Sequence, residues 1–164
     1  MEAFKINKKQ LLLGILFLLL GTMVYLVDRP IGSTHFLYKY RSIQTFFHQV
    51  PPLYGKIGMF APEFFHPLAL SLISMSLISS KKSKMMTCFV WFSIDSVFEL
   101  GQKFGVELVE YLPKWFVTLP IIKDFIDFFV HGTFDPYDLM AIGFGSSVAF
   151  FILILGSRKG GNNE

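Results

Sequence analysis

The chain reads as all-α: a multi-pass membrane protein of four transmembrane helices, with interfacial helical segments in the outer loops. Of its 164 residues, 52% are hydrophobic, 20 are Phe and only 16% are charged, against the quarter usual in soluble domains. Four stretches, Leu11 to Val27, Pro62 to Ser80, Met85 to Gly105 and Pro136 to Leu155, approach the ~20 apolar residues that cross a bilayer core. Basic residues cluster at the ends of those stretches. Residues 1–157 form one transmembrane domain on this reading and 158–164 a cytoplasmic tail.

The first span follows Lys5, Lys8 and Lys9 as a signal sequence would, but its apolar run is long and no A-x-A-like cleavage site follows. It reads as an uncleaved anchor. Lys81, Lys82 and Lys84 separate spans two and three, and Arg158 and Lys159 follow span four. With four spans these three basic groups share one side, which the positive-inside rule makes cytoplasmic, together with both termini.

Span three carries the most informative pattern. Asp95, Glu99 and Gln102 interrupt its apolar run at i, i+4 and i+7, a spacing that sets all three on one helical face. Ionisable groups inside a membrane usually turn toward partners, water or a ligand. The bland reading of Glu99 is an interhelical hydrogen bond that fixes packing. On this topology Glu99 and Gln102 lie in the outer half of the span, roughly 5–10 Å below its end. His66 sits one turn into span two, and Asp138 at the start of span four. Asp28 and Arg29 close span one at the same level.

Asp135-Pro136-Tyr137-Asp138 has a structural explanation: an N-cap Asp, a Pro at the first helical position and an acid at N3 form an approximate capping box. Pro67 beside His66 frees a backbone carbonyl that the imidazole ring is placed to satisfy. Arg29 and Arg41 suit bidentate contact with a phosphate, or else neutralise nearby acids. Gly14, Gly21, Gly143, Gly145, Ser146 and Ser147 read as close-packing surfaces. In the second outer loop, Ile121 to Val130 groups Lys123, Asp124 and Asp127 on one side of a helix, with Phe and Ile on the rest. That segment is expected to lie in the interface and help roof the polar level.

Some classes are excluded. The sequence contains no phosphate-binding P-loop, no nucleophile elbow and no zinc-protease H-E-x-x-H motif. The single Cys88 offers neither a disulfide nor a cysteine metal motif, and a metal site from His66 with two carboxylates has only a weak signal. The net charge of +3 resides largely in membrane-flanking Lys and Arg, which suits anionic lipid and not nucleic acid. No cofactor can be named.

Phe98-Glu99-x-x-Gln102, then Gly132-Thr133-Phe134-Asp135-x-x-Asp138-Leu139 and a glycine-containing helix, with Phe65-His66 at the entry of span two, resemble the VanZ-like membrane protein family. The resemblance covers the order of all four spans, with its specific motifs in spans two to four. Ile142 stands where that family often carries an Asn, and Gly145 where it carries a glycine. The resemblance implies a cell-envelope role in the bacterial inner membrane, in a family of which one member is linked to low-level resistance to the glycopeptide teicoplanin, and Glu99, Gln102 and Asp138, with His66 beside them, as motif residues.

The expected function is handling of an envelope lipid or glycan-lipid in a polar pocket near the outer leaflet. Glu99 and Asp138 form its centre and His66 shuttles a proton or completes a metal site. Asp95 and Gln102 orient the ligand, and Arg29 or Arg41 meets a phosphate. Two alternatives stay open: a small transporter or proton relay using Asp95, Glu99 and Gln102 as steps, and a non-enzymatic subunit docked on a larger membrane protein partner through its small-residue faces.

Overall fold

A computed structural model of the chain describes residues 6–29, 45, 47, 49–52 and 54–160. Among these, seven α-helices and no strand occur: α1 Lys8–Val27, α2 Ala61–Ser76, α3 Lys81–Lys103, α4 Gly105–Tyr111, α5 Lys114–Val117, α6 Pro120–His131 and α7 Pro136–Gly160, with a 3-10 turn at Gly55–Met59 before α2. The helical class is as the composition predicts.

Local chemistry sets the helix ends. Asn7 caps α1, its Oδ1 accepting the Gln10 N–H at 3.2 Å, and its own N–H donates at 2.9 Å to the Ser76 carbonyl. One residue thus opens α1 and satisfies an orphan carbonyl at the end of α2. Helix α2 stops at Ser76, earlier than the Ser80 expected from hydropathy. Serines compete with the helical backbone for hydrogen bonds: Ser76 Oγ donates to the Ile73 carbonyl at 2.6 Å, and Ser80 becomes the N-cap of α3. The α3 helix accordingly begins at Lys81, not Met85, and ends at Lys103. Two short helices, α4 and α5, follow it in the expected second outer loop.

Helix α7 starts as its capping sequence predicts. Asp135 Oδ1 accepts the Tyr137 N–H at 2.8 Å, and the Asp135 carbonyl takes the Asp138 N–H at 3.0 Å. Asp135→Ala is expected to cost about 1 kcal/mol, measurable as a lower thermal midpoint in detergent.

Helix α2 is the hub. Helices α1, α3 and α7 all pack on it and α3 also packs on α7, whereas no packing seam joins α1 to α3 among the described residues. Leu68, Leu72 and Met75 of α2, Cys88 of α3, and Ala149 and Leu153 of α7 form the buried core. Glycines permit the closest approaches. A Cβ on Gly14 would lie 2.8 Å from Ile73 Cγ1, one on Gly21 2.7 Å from Phe65 Cβ, and one on Gly145 would strike the Phe64 carbonyl. Gly143 departs from expectation: among the described residues nothing lies within 4 Å of its Cβ position, because it borders a gap between α7 and Met85, Phe89 and Phe92 of α3. Ser147 is exposed on the same side, its hydroxyl turned back to the Gly143 carbonyl at 2.7 Å.

The amphipathic segment expected at residues 121–130 is α6. Its Phe125, Phe128 and Phe129 surround Phe98 of α3 with ring centroids 5.7–6.0 Å apart. Lys123 and Asp124 are exposed.

Helices Lys8–Val27 and Pro136–Gly156 are long and apolar enough to cross a bilayer, and only 22% and 28% of their apolar windows are buried inside the protein. A core helix of a soluble protein would be mostly covered. The remaining two expected spans fall short in different ways. At 16 residues, α2 extends about 24 Å against a ~30 Å hydrocarbon core. The 23 residues of α3 are long enough but include lysines and two acids.

Candidate functional site

Polar residues meet at the end of the bundle where α1 stops and α2 and α7 begin. Arg29, just past the Asp28 C-cap of α1, pairs with Glu63 in the first turn of α2. The same guanidinium donates to the Met59 carbonyl at 3.2 Å, lies 3.9 Å from Asp138 Oδ2 in the first turn of α7, and stands 5.2 Å from the centre of the Tyr25 ring. Asp28 is used differently, its Oδ2 accepting the Tyr54 N–H at 2.7 Å.

Glu99 reaches this cluster from α3. It is 5% exposed, and its Oε1 accepts the Asp135 N–H at 2.8 Å. In a capping box the N3 acid turns back to the N-cap N–H. Here the N3 residue is Asp138, but Glu99 takes that N–H from a neighbouring helix, and Asp138 turns to Arg29. Three carboxylates, Glu63, Glu99 and Asp138, thus gather about one guanidinium. Glu63 Oε2 and Asp138 Oδ1 are buried and accept no hydrogen bond among the described residues.

A second pair lies one turn further along. His66 follows Glu63 by three residues on α2, and its Nδ1 stands 3.1 and 3.2 Å from the two Asp95 carboxylate oxygens on α3. A carboxylate held against one ring nitrogen fixes the imidazole's orientation and tautomer. Trp91 supports the pair: its ring meets the imidazole edge-on at 6.4 Å, and its indole N–H donates to Ser74 Oγ at 3.0 Å. The Asp95 side chain is 11% exposed and that of His66 51%.

Both sets border one cavity of about 590 Å³, within the range of small-molecule sites. It occupies the gap between α1 and α3, which both pack on α2 and share no packing seam among the described residues. Thr22 and Tyr25 line it from α1, Glu63 and His66 from α2, and Asp95, Glu99 and Gln102 from α3, with Phe128 of α6 at its edge. Its remaining wall is mostly apolar and aromatic.

The stripe of Asp95, Glu99 and Gln102 therefore does face a common space, joined there by His66. Asp138 lies next to that space, linked to Glu99 through the Asp135 backbone. Arg29, expected at a phosphate, is occupied as the counter-ion of Glu63. The His66 ring takes Asp95 instead of the carbonyl that Pro67 frees. Arg41, the other expected phosphate ligand, and His35 and His48 lie outside the described residues. Sequence reasoning passed over Glu63, although its i, i+3 spacing to His66 places both on one face of α2. Among the described residues no group of three or more His, Cys, Asp or Glu is arranged to hold a metal ion. Compared with protein-family models, curated proteins and solved structures, the chain matches none.

Proposed function

We propose that the chain is a four-span, VanZ-like protein of the bacterial inner membrane, with both termini cytoplasmic, whose cleft between α1 and α3 handles an envelope lipid or glycan-lipid near the outer leaflet. The observation that carries this reading is the cleft itself: a mostly apolar gap between two helices with His66, Asp95 and Glu99 on its wall. In a bilayer such a gap is open to lipid from the side, and ionisable groups at that depth need a polar partner. A headgroup entering with its chains along α1 and α3 supplies both.

Further support comes from the surface. Leu12, Leu16 and Leu19 of α1 and Phe144 and Phe151 of α7 are each more than half exposed, an arrangement suited to lipid and not to water. The short α2 and the polar α3 are then spans carried by their neighbours, with the charges of α3 turned to the cleft or to its ends. If a bond is broken there, His66 held by Asp95 is the group placed to act as general base. The proton-relay alternative is less well supported, because beyond Asp95 the α3 helix offers Ser93, Thr87, whose hydroxyl donates to the Ser83 carbonyl at 2.9 Å, and Cys88, buried against Met75.

Filling the cleft tests the reading. Thr22 is exposed on α1 and borders the cavity, so Thr22→Trp is expected to leave the fold intact. Native mass spectrometry of gently purified protein should show a lipid retained by the wild type and reduced about tenfold in this variant. Equal retention by both proteins would place the lipid elsewhere and defeat the proposal.

A further inference from the structure

The cleft's charge does not suit the phosphate that its arginine first suggests. Among the described residues, its acidic and basic lining consists of Glu63, His66, Asp95 and Glu99, with no Lys or Arg. Arg29, beside the cleft, is committed to Glu63. A phosphate or other anion entering here would meet carboxylates with no unpaired cation to receive it, a costly arrangement away from water.

A cation meets the opposite situation. Glu99 is 5% exposed, borders the cavity, and engages only Oε1, in the bond to the Asp135 N–H. Its Oε2 has no hydrogen-bond partner among the described residues. One turn away, Asp95 also borders the cavity, and its only neutralising partner among the described residues is the His66 ring. Trp91, Phe98 and Phe128 add aromatic walls, and aromatic rings attract cations to their faces. Open carboxylate oxygens favour a group with N–H donors over a fully methylated one.

We infer that the cleft between α1 and α3 binds a primary ammonium group, received by Glu99 and Asp95. This deepens, and rests on, the reading of the cleft as a lipid site. The ammonium is carried either by a lipid headgroup of the ethanolamine type or by a free amine, and the two sources are separable by experiment.

The test presents wild-type protein with an equimolar mixture of phosphatidylethanolamine, phosphatidylcholine and phosphatidylglycerol of identical chains, followed by native mass spectrometry. The ethanolamine lipid is expected to be retained about tenfold over each of the others, the factor that one charge-assisted hydrogen bond supplies. Glu99→Gln keeps an acceptor for the Asp135 N–H and so preserves the α7 cap, yet it should erase the preference. Asp95→Asn, which leaves that cap untouched, should weaken it as well.

Retention of phosphatidylglycerol above the ethanolamine lipid, or of all three equally, overturns the ammonium assignment while leaving the lipid reading in place. Absence of any retained lipid, or retention unaffected by Thr22→Trp, overturns the lipid reading beneath it. Free ethanolamine is the separate arm: binding lost in Glu99→Gln supports the ammonium chemistry and assigns its source to solution. Binding of free ethanolamine that survives both Glu99→Gln and Asp95→Asn counts against the site.

Discussion

Replacing Arg29 with Met is expected to lower stability by about 3–5 kcal/mol, the cost of removing one partner from a largely buried ion pair. Arg29 and Glu63 side chains are each 19% exposed and that of Asp138 13%, so solvent screens the three only weakly. Without the guanidinium, Glu63, Asp138 and Glu99 face one another with no cation, and the Met59 carbonyl loses its donor. The bundle must then either bind protons or open at this end.

Thermal unfolding in detergent, followed by tryptophan fluorescence, should show a fall in midpoint on the order of 10 °C. Trp91 reports from the α2–α3 seam, where it is bonded to Ser74. The decisive comparison is the double variant Arg29→Met with Glu63→Gln. Removing one of the three carboxylates as well should recover part of the loss, since the closest ion pair is then replaced on both sides and only Asp138 and Glu99 are left without the guanidinium. A double variant as unstable as Arg29→Met alone would mean that Arg29 acts through packing on Tyr25 and not through charge.

The sequence makes some of this legible and conceals the rest for definable reasons. The α1 and α7 helices announce themselves because a continuous apolar run of bilayer length needs no tertiary information. The facing of Asp95, Glu99 and Gln102 is equally local, since helical geometry alone puts i, i+4 and i+7 on one side. Partner choice is not local. Glu63, in the first turn of α2, reads as an acid complementing the helix dipole, and its pairing with Arg29 appears only once α1 is laid against α2. His66 pairs with Asp95 and not with Glu99 for the same reason: the choice depends on how α3 is rotated against α2. The cap of α7 is the sharpest case. The sequence contains a self-sufficient capping box, but the fold draws its reciprocal acid from α3 and turns Asp138 to the arginine.

The largest steric effect is expected at Gly145. A side chain there would run into the Phe64 backbone carbonyl of α2, and because that obstacle is main chain it cannot swing aside as a side chain would. The α2–α7 seam also carries core contacts through Leu68, Leu72, Ala149 and Leu153, so displacing α7 loosens the packing that holds the bundle together, in a setting where close packing drives helix association. Gly145→Val should cost about 3 kcal/mol or more, at the upper end for overpacked sites, and Gly145→Ala somewhat less. Gly143, two residues earlier on the same helix, is the control: its Cβ position is open, and Gly143→Ala should be neutral or slightly stabilising through the higher helix propensity of alanine. Midpoints measured side by side in detergent separate two explanations for these glycines. Loss at Gly145 alone identifies the α2–α7 seam inside the protein as the constraint. If Gly143→Ala instead leaves the isolated protein unchanged but abolishes its activity in cells, the exposed face of α7 is in contact with a membrane partner, and the docking-subunit alternative gains the ground.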